Sequence, residues 1–172
     1  MMSNMQDYSD TMAYTTPISL QSSKQIKLLK TYYPDSASVP EQFYYYLGFE
    51  NYYRFPLRYP YSIHCSPFKD AGELYNELQV KRFDENDNGE IQTSINKIDR
   101  LAFDKKYLLI DQKISSTRSP DFIHHYILFS FDTEKTQEAE TEKELVKLAK
   151  QKGYKGSEQL MTIEEYDALF NE

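Results

Sequence analysis

Cysteine occurs once in the 172 residues, at Cys65, so no disulfide can form within the chain. Secreted domains of this size commonly carry paired cysteines, and their lack favours a reducing, intracellular compartment. Glycine is scarce as well, at five residues, which leaves little backbone suited to close approach to phosphates. No phosphate loop, dinucleotide-binding glycine pattern, nucleophile elbow or kinase signature is present, and no catalytic residue or cofactor is assigned. Long apolar runs are missing too. The stretch MMSNMQDYSDTMAYTTP has neither a basic leader nor an apolar core, so neither a signal peptide nor a membrane span is expected. It also lacks the arginines of a transit peptide. The cytoplasm is the expected compartment, and an organelle interior reached through an internal signal is compatible with the same residues.

Positive charge is the other shortage. The net charge of −7 is spread unevenly: residues 1–70 are neutral, residues 71–133 carry −3 and residues 134–172 carry −4. A phosphate backbone is bound by neutralising it with lysine and arginine, so a chain without a basic stripe is not expected to bind nucleic acid.

The length suits one domain with an attached arm. Residues 1–17 are expected to form a flexible N-terminus, 18–70 a Tyr/Pro-rich helical or extended arm, and 71–172 an α+β core domain. Six of the seven prolines and eleven of the sixteen tyrosines lie in the first 70 residues. Proline lacks an amide donor and fixes φ, so only one short helix fits before Pro34 and a second between Pro40 and Pro56. Ile26, Leu29 and Tyr33 place the first over 22–33, with Ser22 or Ser23 as its cap.

From Leu78 onward, β-branched and aromatic runs alternate with turn residues. The fold class expected is α+β, with an antiparallel sheet of about four strands: 78–83, 90–95, 107–112 and 122–131. Asn88-Gly89 suits the turn of a hairpin between the first two. The segment 122–131 has apolar residues on both faces, the pattern of a central strand covered on each side. At the C-terminal end, Thr141 with Glu144 and Thr162 with Glu165 form two capping boxes. Leu145, Leu148 and Ala149 line the first helix, and Ile163, Tyr166 and Phe170 the second. A helical hairpin is therefore expected to cover the sheet.

Among candidate metal ligands, Asp84-x-Asn86-x-Asn88-Gly89 resembles the opening of a calcium loop. Its twelfth position is Ile95 instead of the bidentate glutamate, so a plain hairpin turn is expected and no metal is assigned. His64-Cys65 and His124-His125 carry ligand chemistry, but adjacent strand residues point to opposite faces. Structural roles are expected for them, with His125 half-buried and Cys65 acting as a small apolar residue.

The least ordinary stretch is Phe43 to Tyr61, ten aromatics in nineteen residues interleaved with Arg54 and Arg58. Tyrosine and arginine are the residue types enriched at protein interfaces. Tyr44, Tyr45, Tyr46, Tyr52, Tyr53, Arg54, Arg58, Tyr59 and Tyr61 are accordingly expected to form a protein-binding surface. The function expected is non-catalytic protein binding, as an accessory subunit of a larger intracellular assembly. The alternative is a small acidic inhibitor or immunity protein that neutralises a basic toxin or nuclease.

Overall fold

The protein is seen in a computed structural model that describes residues 23–33, 35, 38–49, 52–79, 95–117 and 120–172. The expected N-terminal segment 1–17 and the calcium-like loop with most of its hairpin lie outside these residues.

Helix α1 (Lys24–Thr31) buries Ile26 and Leu29, the pair whose spacing predicts it. Ser23 occupies the cap position without capping; its hydroxyl donates instead to the carbonyl of Leu169 at 3.4 Å. Tyr33, expected on the helix, stands outside it, because helical backbone is disfavoured for a residue before proline. The second predicted helix is the short α2 (Glu41–Tyr45), begun at Pro40 and ended where Tyr46 turns to extended backbone.

The class is α+β, but the sheet is larger than the four strands expected. Among the described residues eight strands run in chain order, each antiparallel to the next: β1 (Gly48–Phe49), β2 (Tyr52–Pro56), β3 (Tyr61–Cys65), β4 (Gly72–Asn76), β5 (Ile95–Phe103), β6 (Tyr107–Ser115), β7 (Phe122–Ser130) and β8 (Thr136–Ala139). The difference arises because the proline-rich segment supplies strands of its own. Proline is tolerated at strand ends, where Pro56 sits. Leu78 and Gln79, expected in a strand, lie in a turn.

Strand β5 is irregular. Against β4 and again against β6 its register shifts by one residue, and Lys97 has a φ of 55°. Such bulges bend a strand and increase its twist. A short ninth strand, β9 (Met161–Thr162), pairs with Arg100 and Leu101, beyond the stretch of β5 that β4 covers.

The two faces of the sheet carry different cores. On one face Leu101, Leu108, Ile110, Ile127 and Phe129 pack with Phe55, Ile63 and Leu74, under Ile26 and Leu29 of α1 and Phe43 of α2. On the other face Ala102, Leu109 and Leu128 pack under Leu145 and Ala149 of α3 (Glu142–Gln151). The last helix, α4 (Ile163–Ala168), places Ile163 and Tyr166 in the first cluster, joined by Phe170 of the 3-10 turn that follows. Thr141 accepts from the Glu144 amide and Thr162 from the Glu165 amide, each at 3.2 Å, but the expected box closes at Thr162 alone, where Glu165 Oε2 accepts from the Thr162 amide at 2.7 Å; Glu144 Oε2 accepts from the Glu140 amide instead. The expected helical hairpin is nonetheless two separate covers. The chain passes from one face to the other between Leu160 and Ile163, along β9 at the edge of β5. Gly72 makes room for that crossing: a Cβ there would lie 2.7 Å from Ile63 Cγ2 and 3.0 Å from Ile163 Cδ1.

The sheet also curls toward its first face. Four strand spacings separate β3 from β7, roughly 19 Å in a flat sheet. Yet the rings of Tyr61 and Phe129 have centroids 5.5 Å apart. The turn after β2 consequently meets the turn after β7, where Arg58 Nη1 lies 2.7 Å from Asp132 Oδ1.

Candidate functional site

The aromatic segment is mainly a structural element. Tyr44 and Tyr61 are buried in the first core cluster, and Arg54 is only 3% exposed. These three, expected at an interface, are inside the fold and cannot reach a partner from it. The reason is strand alternation: β2 sends Tyr53 and Phe55 to one face and Tyr52 and Arg54 to the other, so a dense aromatic run fills two layers at once.

Arg54 is the organising residue of the second layer. Its Nε and Nη2 reach Glu77 Oε1 at 2.6 Å and 2.5 Å, and its Nη1 donates to the carbonyls of Phe43 at 2.9 Å and Tyr46 at 2.7 Å. Those carbonyls belong to the C-terminal end of α2, so the guanidinium also caps that helix. Beside it in register stands His64, its ring stacked on Tyr75 at 4.0 Å and Tyr52 at 5.5 Å. Burial, and then the Arg54 charge, push the His64 imidazole down to a pKa of about 4. Tyr46 and Tyr52 share a hydroxyl contact of 2.8 Å. Tyr45 accepts from Lys30 Nζ at 3.0 Å, and Tyr59 lies edge-on to Phe43 at 5.1 Å. Arg58 pairs with Asp132 and lies 5.9 Å from the rings of Tyr33 and Phe131. Of the nine expected residues Tyr53 is the most open, at 39%, and Lys69 Nζ lies 4.6 Å over its ring.

A second constellation, missed by the sequence, lies on the α3 face toward the turn end of the β6–β7 hairpin. Asp111 has no exposed surface, and its two oxygens are divided between neighbours. Oδ2 accepts from Arg100 Nε at 3.0 Å and Nη2 at 2.6 Å, while Oδ1 is 2.7 Å from His124 Nδ1. Arg100 Nη2 also reaches Glu142 Oε2 at 2.7 Å, which ties the group to the first turn of α3. Alternation along β6 and β7 puts Asp111, Lys113, Phe122, His124 and Tyr126 on one face, with His124 directly opposite Lys113. No spacing rule joins residues 100, 111, 124 and 142, since they come from four elements.

The same hairpin end corrects two further expectations. β7 is covered on both faces only at Ile127, Leu128 and Phe129; Phe122 to His125 are all exposed, so His125 is not half-buried. Phe122 is 53% and Ile123 49% exposed, one on each face of the strand. Strand β8 pairs with β7 only from Tyr126 to Phe129, which leaves the edge beside Phe122 to His125 without a strand partner among the described residues. Lys113 Nζ lies 4.5 Å over the Phe122 ring.

Cys65 is buried, and burial pushes its thiol up to about 11, which makes it a poor nucleophile. Among the described residues no group of three His, Cys, Asp or Glu side chains is placed to hold a metal ion, and no helix is long and apolar enough to cross a membrane. Comparison with protein-family models, curated proteins and solved structures gives no match for this chain.

Proposed function

We propose that this chain is a non-catalytic protein-binding protein, an accessory subunit of a larger assembly, and that its partner docks on the solvent-exposed turn end of the β6–β7 hairpin. One observation carries this. Phe122 and Ile123 hold large apolar side chains in solvent on a strand whose nine residues are all paired with β6. A rigid strand with exposed aromatic and branched side chains loses little entropy when it is covered, which is the economy of an interface hot spot. The expected interface thereby shifts from the aromatic segment, whose rings mostly serve the core, to this hairpin.

The alternative, an acidic inhibitor or immunity protein, has separate support. From Asp132 to Glu144 the chain carries Asp132, Glu134, Glu138, Glu140, Glu142 and Glu144 against Lys135 and Lys143. Most of these lie exposed along β8 and its flanks. A basic partner would be steered to that edge.

The deciding experiment is affinity capture at native expression level with wild-type, Phe122→Ser/Ile123→Ser and Glu138→Lys/Glu140→Lys chains. Loss of the partner with the first variant at unchanged melting temperature supports the docking end. Loss with the second, and release of the partner by moderate salt, supports the acidic inhibitor. Retention by both sinks both.

A further inference from the structure

The carboxylate of Asp111 accepts from a guanidinium and is therefore ionised, so it can only accept from His124 as well. Nδ1 of His124 must then carry the ring proton. In the neutral ring the lone pair is then on Nε2, on a side chain 38% exposed at a part of the face where Phe122 beside it is open to solvent. Lys113 stands opposite across the ladder and supplies a cation on the same face. His124 has no serine, threonine or cysteine hydrogen-bonded to it among the described residues, so the arrangement is not that of a base serving a neighbouring nucleophile.

We propose that Nε2 of His124 is a phosphoryl-acceptor site, charged by an activated phosphoryl donor, a phosphoramidate or an acyl phosphate, carried by a partner protein. The partner's place on Phe122 and Ile123 rests on the docking function proposed above; the chemistry of His124 does not. The open sheet surface gives a donor carried on another molecule access to Nε2. In the step, the Nε2 lone pair attacks phosphorus and an N–P bond forms. The bond from phosphorus to the donor's leaving atom breaks, and its electron pair departs with ammonia from phosphoramidate or with the carboxylate from an acyl phosphate. The Nδ1 proton stays in its hydrogen bond, so the imidazolium charge faces the Asp111 carboxylate. Lys113, opposite His124 in the ladder with its Nζ over the Phe122 ring, is the cation available on this face to the phosphoryl oxygens. Asp111 and Arg100 are positioning residues.

The test is incubation of the full chain with potassium phosphoramidate and, separately, acetyl phosphate, with the modified atom located by mass spectrometry and ³¹P NMR. His125 is the internal control, since it is exposed on the same strand and no carboxylate among the described residues holds its ring. His124 should be labelled at Nε2 at least about tenfold faster than His125, the rate equivalent of one charge-assisted hydrogen bond. The within-chain comparison needs no variant, so it decides even where Asp111→Asn fails to fold. If Asp111→Asn does fold, it should lower the His124 rate to that of His125 and mix the ring tautomers seen by ¹⁵N NMR. Equal labelling of the two histidines, labelling at Nδ1, or none with either donor overturns the proposal. These small donors need no docking surface, so the labelling result bears on the acceptor site alone, while recovery or loss of the partner in the capture experiment bears on the docking function alone.

Discussion

Tyr61 Oη donates to Glu134 Oε1 at 2.7 Å, binding the first residue of the third strand to the turn after the seventh. They stand 73 positions apart in the chain. Asn76 Nδ2 bonds the same oxygen at 2.8 Å, so one exposed carboxylate gathers three parts of the curled sheet.

Removing only the hydroxyl, in Tyr61→Phe, should cost about 1 kcal/mol, a hydrogen bond discounted for the solvent around Glu134. Tyr61→Ala should cost about 3–5 kcal/mol, because the ring is buried against Phe129 and Phe131. Urea titrations of both variants check the ratio. Equal losses would mean that the ring is not what holds the curl.

Arg54 is the costlier residue to lose. Arg54→Met keeps most of the stem but strands the Phe43 and Tyr46 carbonyls and part of the Glu77 charge. The expected loss is about 2–4 kcal/mol, below the range for a fully buried pair because Glu77 is partly solvated. Arg54→Lys should recover little, since one ammonium cannot serve three acceptors placed around a fork. A lysine variant with wild-type stability would remove the fork from the explanation.

His64 makes stability depend on pH. The unfolded chain takes up a proton near the ordinary value of 6.5, while the folded chain does so only near 4. Between these values the unfolded state holds more protons. This group's contribution is therefore complete above about 6.5, falls as the pH drops through the window, and changes no further below 4. The size is about 3 kcal/mol at most. His64→Gln should flatten the melting profile across that window, and an unchanged slope would refute the assignment.

The two C-terminal covers should behave as independent parts. Leu145→Ala removes packing on the α3 face and Phe170→Ala removes it on the other, each at about 2–5 kcal/mol. Because they belong to separate clusters on opposite faces, the double variant should equal the two single losses within about 0.5 kcal/mol. A helical hairpin would instead couple them, and a larger interaction energy in the double-mutant cycle would restore that arrangement.

What could be read without coordinates is what local chemistry dictates. The capping threonines, the apolar stripes of α1, α3 and α4, and the paired runs 107–112 and 122–131 follow from spacing within a few residues. The α+β class follows from the change of period along the chain. Tertiary structure decided everything that depends on which distant surfaces meet. Proline-rich residues 48–76 became half of the sheet because edge-to-edge pairing satisfies their backbone, which no propensity within the segment shows. Leu145 and Ile163 took opposite faces because two residues at β9 turn the chain over a sheet edge. Tyr44 and Tyr61 went inward because the curled sheet had volume to fill, and Arg54 because alternation along β2 set it on the other face, under the Phe43 and Tyr46 carbonyls; residue type alone does not distinguish a ring that packs from one that binds. Asp111 and His124 met because strand register set them one step apart across β6 and β7. A buried carboxylate and an exposed imidazole thirteen positions apart have no periodicity in common, and only the ladder brings them to hydrogen-bond distance.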